Sequence, residues 1–199
     1  MSNLIKDNAI VADEWTRVVP PSLGEEAVRK QAGKVVLFKL TGEETFTAEQ
    51  IAATQIPAGK VIVPFTVWLA NKDALASRAA QGEVGLLIAT HEAIEDVIAA
   101  VKDINAFALV AVYVERFADG RIFSIGNLLR TRYGFKNELR AIGDVLRDQL
   151  FFLKRSGFNS YLIRADRNAQ EALQSLKDFS EPYQGAVDIN QPAWRRVNR

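Results

Sequence analysis

The sequence contains no cysteine and a single histidine, His91. Without thiols there can be no disulfides, cysteine-ligated iron–sulfur clusters, thiol nucleophiles or covalently attached c-type haem. One imidazole excludes a two-histidine metal site within the chain, and leaves His91 as the one base open to a Ser-His-Asp triad. No metal site is expected. No apolar run approaches the roughly 20 residues that span a bilayer. The opening residues, MSNLIKDNAIVADEW, lack a basic region followed by an apolar block, so no membrane partner and no signal peptide are expected, and the expected location is cytoplasmic. Charge of one sign is also missing: 25 basic side chains face 24 acidic ones, for a net charge of +1. A general nucleic-acid binder needs a clear basic excess, so no nucleic-acid partner is expected. There is no GxGxxG opening a helix and no GxxxxGK[ST]; the glycines at Gly120 and Gly126 are wrongly spaced for either. No cofactor is recognisable.

What is present is enough for a sizeable core. The chain has 199 residues, 48% of them hydrophobic, which fits one ordinary domain with appendages. Residues 1–58 read as an N-terminal α+β appendage. Its leading segment is stopped by Pro20 and Pro21. A short helix is expected over 25–32, a strand over 34–40, and a helix capped by Thr47, with Gln50 at capping-box spacing. Residues 59–180 change pattern. Short apolar strands at 61–65, 84–89, 107–114, 138–142 and 159–164 alternate with helices at 67–80, 91–104, 121–133, 144–156 and 168–179. Strand-helix repetition with near-continuous apolar strands implies an α/β fold with a parallel sheet buried on both faces. It is either an open three-layer sheet or a partial barrel. Residues 181–199 are expected to form an extended tail docked through Trp194.

Arginine is the abundant polar residue. Nine of the 15 arginines fall between Arg116 and Arg167. Between Glu115 and Arg167, 11 basic residues stand against six acidic ones, so a locally basic face is expected on a nearly neutral chain. That region also carries FADGRIFSIGNLLRTRYGF at 117–135 and ELRAIGDVLRDQLFFLKRSGF at 138–158. These runs resemble the signature of a bacterial domain-of-unknown-function family, number nine hundred and thirty-four. Its members bear the label of an oxidoreductase associated with sulfite reduction, and their genes sit beside those for assimilatory sulfite reductase. The weaker blocks VIVPFTVWLA and VGLLIAT extend the resemblance over about residues 10–179. It implies sulfate assimilation as the pathway, and sulfite reductase or its electron donor as the partner. It carries no catalytic residues across.

In a parallel α/β sheet, ligands bind outside the carboxyl ends of the strands. Those positions hold His91, Asp119, Asp144 and Asp148 as candidate catalytic groups. Arg116, Arg121, Ser124, Arg140 and Arg147 are the candidates for binding an anion. Glycine at Gly120 permits a sharp strand-to-helix turn, and Arg116 with Arg121 could grip an oxyanion bidentately. The plainer alternative is Asp119 as a cap, with arginines bonded to neighbouring carboxylates. Asp144 reads as an N-cap, and Asp148 one turn later as an arginine partner or a second acid-base group. Arg140 lies within a strand and needs a carboxylate; Asp119, Asp144 or Asp148 is expected to supply it. Gln149, on an apolar stripe, must be hydrogen-bonded if buried. Two functions follow. One is an accessory protein that binds through the arginine-rich, aromatic-flanked surface. The other is a small-anion-binding enzyme that acts on a sulfur oxyanion or a nucleotide at the strand ends.

Overall fold

The computed structural model describes residues 2–21 and 46–196. The helix and strand expected at 25–32 and 34–40 lie outside the described residues. The chain begins with strands β1 (Leu4–Lys6), β2 (Ala9–Val11) and β3 (Thr16–Arg17), then helix α1 (Ala48–Ala52). Strand β4 (Val61–Pro64), helices α2 (Phe65–Ala70) and α3 (Lys72–Ala80), strand β5 (Val84–Ala89) and helix α4 (Ile94–Val101) follow. The alternation continues with β6 (Leu109–Val114), α5 (Arg121–Thr131), β7 (Glu138–Gly143), α6 (Leu150–Arg155), β8 (Ser160–Leu162), α7 (Ala169–Gln174) and α8 (Ala193–Arg196). Thr47 and Gln50 form the reciprocal capping box that their spacing predicts at α1.

The eight strands among the described residues belong to one sheet, in the order β2-β1-β8-β7-β6-β5-β4-β3. From β3 to β8 neighbours are parallel and follow chain order; β1 and β2 close one edge antiparallel. Right-handed crossovers between sequential parallel neighbours put the helices that join them on the same face. The core is divided accordingly. Val63, Ile88, Val112 and Leu139 pack against Val67, Val97, Ile122, Leu129 and Leu150 from the helices. On the opposite face Ile62, Leu87, Leu109, Ala111 and Ile142 form a second cluster, to which no described helix contributes. Both faces are buried, but among the described residues only one carries helices.

The segment between β2 and β3 fixes the sheet's shape. β2 lies at one edge and β3 at the other, seven strand spacings apart in a sheet of eight. Laid flat, seven spacings would span about 34 Å. Residues 11 to 16 are five steps apart and reach at most about 18 Å. The sheet must therefore curl into a half-barrel, with residues 12–15 strapped across its concave side. The strap is pinned along its length. Asp13 Oδ1 accepts from Arg140 Nη1 on β7 at 2.9 Å. A Cβ on Gly85 of β5 would lie 3.3 Å from the Trp15 ring, so glycine there leaves room for the indole. The Arg17 guanidinium sits 4.3 Å over the ring of Tyr113 on β6. Thr16 and Val18 donate their amides to Lys60 and Ile62 at 2.9 Å.

Three expected helices begin differently; the one expected from His91 starts at Ile94. The stretch 67–80 is split at Asn71 into α2 and α3. The helix expected from Asp144 starts as a 3-10 turn at Arg147–Gln149, with Leu146 preceding it, so Asp144 is not its cap. The cause is Gly143. Its φ of +112° and a would-be Cβ only 2.0 Å from the Val114 carbonyl oxygen turn the chain aside before any helix forms. The tail is not wholly extended: it contains α8, and Trp194 is largely exposed, with Arg195 over its ring at 4.8 Å.

Arg130 explains the LLR and GF runs of the signature. From α5 its Nε donates to the Gly157 carbonyl at 2.8 Å, its Nη1 to those of Phe135 and Asn137 at 2.6 and 2.9 Å, and its Nη2 to Asn159 Oδ1 at 3.2 Å. One guanidinium thus ties together the ends of α5 and α6 and the start of β7. Arg130→Ala is expected to lower the unfolding free energy by about 3 kcal/mol, since it strands several partly buried carbonyls. Arg130→Lys should recover only part of this, because an ammonium cannot match the planar fork. Urea denaturation of the three proteins checks both.

Candidate functional site

The carboxyl ends of the parallel strands carry two polar clusters. At the ends of β5 and β6, the Thr90 hydroxyl donates to Asp119 Oδ2 at 2.5 Å. Asp119 Oδ1 accepts the Arg121 amide at 3.1 Å and Nε at 2.9 Å, while Nη2 reaches Oδ2 at 2.9 Å. Asp119 therefore holds the first residue of α5 by its backbone and its side chain together. At the ends of β7 and β8, Asp144 Oδ1 accepts from Arg164 Nη1 at 2.6 Å and Oδ2 from the Phe117 amide at 3.0 Å. Arg164 also pairs with Asp166 at 2.6 Å. Asp144 thus anchors the loop after β6 to β8.

Gln149 completes this second cluster. It is buried, and both ends of its amide are used: Nε2 donates to the Phe117 carbonyl at 3.0 Å and Oε1 accepts the Leu146 amide at 3.1 Å. The remaining sequence candidates do not converge with these groups. His91 lies in a turn, three residues before α4 begins. Asp148 and Arg147 are exposed and have no ion pair among the described residues. Ser124 lines a shallow surface depression with Phe123, Asn127 and Leu128. Arg116 is exposed in the loop after β6.

Arg140 corrects the expected network. It is 1% exposed and lies on the concave face. Its Nε and Nη2 donate to Glu138 Oε1 at 2.9 and 2.7 Å, and its Nη1 to Asp13. Lys6 Nζ completes the group, 2.7 Å from Glu138 Oε2. The strand-end aspartates take no part. Glu138 stands two residues before Arg140 on β7, so both side chains leave the same face and the shortest pairing is within the strand. Asp13 could not be foreseen, because only the strap's path brings it there.

Electrostatics separate the carboxyls. Burial pushes Asp119 upward, but the Arg121 side chain, the Thr90 hydroxyl and the Arg121 amide outweigh it and hold it below its ordinary range. Glu138 is likewise raised by burial and lowered further by Lys6 and Arg140, for a net depression. Glu92, which sequence reading passed over, moves the other way. Burial raises it against the Ala89 amide that donates to it at 2.7 Å and against nearby His91. Its place just after a strand was the one signal that could have flagged it. Among the described residues no group of three or more histidines, aspartates or glutamates is placed to hold a metal ion, and no helix is long and apolar enough to cross a membrane.

A sequence profile described as "Bacterial protein of unknown function (DUF934)" matches residues 85–194, more than half of the chain. No curated protein matches it.

The depressed Glu138 carboxyl stabilises the fold fully above its ordinary value of 4.5, and this contribution is lost as pH falls through the lower folded value. Glu138→Gln should cost about 3 kcal/mol at pH 7, with the gap to wild type closing in acid. For Glu92 the sign reverses. A raised carboxyl favours the fold below 4.5 and loses that contribution as pH rises through the folded value. Glu92→Gln keeps an acceptor for the Ala89 amide and should raise Tm at pH 7, by an amount equivalent to about 1 kcal/mol or less. Thermal unfolding from pH 3 to 8 reads both.

Proposed function

The chain belongs to that bacterial family of unknown function, and from this premise we propose that it is an accessory protein of assimilatory sulfite reduction. It acts in the cytoplasm with sulfite reductase or its electron donor. The pathway is suggested by the resemblance of residues 117–158 to proteins labelled for sulfite reduction, whose genes adjoin those of the reductase. The observation that carries the accessory reading is the surface along α6. Phe152 is 55% exposed, Phe179 58% and Phe117 41%. Phe151 joins the first two, with ring centroids 5.5 Å from Phe152 and 4.9 Å from Phe179. Phe117 is tied to the same end of α6 through Gln149, next to exposed Arg147. Exposed aromatics beside an arginine with no ion pair among the described residues are the usual make-up of an interface centre. The strand-end carboxylates Asp119 and Asp144 are meanwhile engaged in bonds that hold loops.

A second reading has one observation in its favour. Glu92 and Asp119, at neighbouring strand ends, have proton affinities displaced in opposite directions, as an acid-base pair requires. It gives the small-anion enzyme a pair of candidate groups.

Co-elution with the sulfite reductase haemoprotein of the same organism, at low and moderate salt, tests the proposal. A shared peak that weakens with salt is expected, and Phe152→Ser with Arg147→Glu should weaken the complex by roughly tenfold or more. Separate peaks at both salts would overturn it. Turnover of a sulfur oxyanion or nucleotide that is abolished by Glu92→Gln would favour the second reading.

A further inference from the structure

Residues 181–196 fold into a closed loop that neither reading uses. Across its neck the Ala193 amide donates to the Tyr183 carbonyl at 2.8 Å, and Arg196 donates through Nη2 to the Pro182 carbonyl. Arg196 Nη1 also lies 3.3 Å from Glu181 Oε2. At the tip the Ala186 amide donates to the Ile189 carbonyl at 2.7 Å. The tip is docked on the end of α6. There the Val187 amide donates to the Arg155 carbonyl at 3.0 Å, and the Arg155 guanidinium reaches the Gln184 carbonyl and Asp188. Backbone bonds and two arginines fix the chain, as in a compact Ω-loop.

The loop's aromatic side chains take no part in fixing it. Tyr183 is 69% exposed and Trp194 54%. The bond between Tyr183 and Ala193 sets these two aromatic residues close together at the neck. Among the described residues three of the seven exposed large hydrophobics, Phe179, Tyr183 and Trp194, fall in this one short stretch. That is a concentration, unlike the single scattered residues normal on a surface. Rings held outward on an ordered backbone are anchors that lose little entropy when covered.

The charges at the neck indicate what covers them. Glu181 gives one oxygen to Arg196, and its side chain stays 78% exposed. Arg195 is exposed, lies over the Trp194 ring and makes no ion pair among the described residues. A covering surface must bring an acid to Arg195, a cation to Glu181 and apolar area to the two rings. A second copy of the same neck brings all three. The loop sets Glu181 and Asp188 against Arg195 and Arg196, so two copies do not repel each other. A partner surface of one sign would satisfy one of the exposed charges and oppose the other.

We propose that the chain forms a two-fold homodimer through the neck of this loop. Trp194 of one copy packs on Tyr183 of the other, and Arg195 of one pairs with Glu181 of the other. The two-fold axis repeats both contacts. The loop docks at the carboxyl end of α6, whereas Phe117 is tied to the opposite end through Gln149. The inference therefore does not rest on the partner proposed above.

Sedimentation velocity of the full chain, over roughly a hundredfold range of concentration, tests it. Wild type is expected to pass from monomer to dimer as concentration rises. Trp194→Ser should raise the dissociation constant about tenfold or more, with the Tm of the dilute protein unchanged because the ring is largely exposed in the monomer. Arg195→Glu should weaken the dimer about fivefold, and adding Glu181→Lys should restore it, since exchanging both charges re-forms the pair across the axis. If Trp194→Ser does not fold, the charge exchange decides. A monomer at every concentration overturns the proposal. So does a dimer that Trp194→Ser leaves intact, or one that the charge exchange fails to restore. A chain that is monomeric alone, but loses co-elution with the sulfite reductase haemoprotein on Trp194→Ser, would assign the neck to that partner and overturn the dimer while leaving the accessory reading in place.

Discussion

Five residue steps join opposite edges of an eight-stranded sheet, and the rest of the structure depends on that reach. A flat sheet would leave the edges about twice as far apart as residues 11 to 16 can span. Once β2 and β3 are both in place, curvature is obligatory. Curvature then gives the sheet two unlike faces. The convex face is wide enough for a shell of helices. The concave face is narrow, lined by Ala111 and Gly85 among larger residues, and closed where the strap lays Trp15 on it.

The arginines show how far local charge excess differs from a charged surface. Arg130 is consumed by three carbonyls and an amide, Arg140 by two carboxylates, Arg164 by Asp144 and Asp166, and Arg155 by the Gln184 carbonyl and Asp188. Guanidinium groups are favoured for such work because five fixed donors can serve several acceptors at once. The excess of cations between Glu115 and Arg167 is largely a set of internal ties. Arg116, Arg121, Arg132, Arg147 and Arg167 stay exposed, as do Phe117 and Phe152.

Strand-helix alternation was plain from residue 61 onward, because β-branched apolar runs and amphipathic stretches leave few other folds open. Strand 84–89 was read to the residue. Helix starts were less legible. Asp144 has the chemistry of a cap, yet the left-handed Gly143 before it sends the carboxylate to the Phe117 amide instead. Asp119 was legible as a local tie to Arg121, since its partner lies two residues away. The partner of Arg140 was not, because Asp13 is more than a hundred residues distant and its approach depends on the strap. The three N-terminal strands were equally hidden. Two or three residues give no measurable periodicity, and their pairing follows from where neighbours lie rather than from their own composition.

A closed barrel of eight strand-helix units fills its interior with its own side chains, layer upon layer. Half a barrel cannot do so: one wall has no opposite wall. Its inner surface must be closed by something that is not sheet. Had that closure been wholly apolar, a second Trp15-like anchor would stand where Asp13 and Arg140 meet. An ion pair at that point is a weak source of net stability, since desolvating both charges offsets much of their attraction. The apolar half of the strap therefore fixes its position over β5 and β6, while its charged half gives buried Arg140 of β7 a second carboxylate beside Glu138.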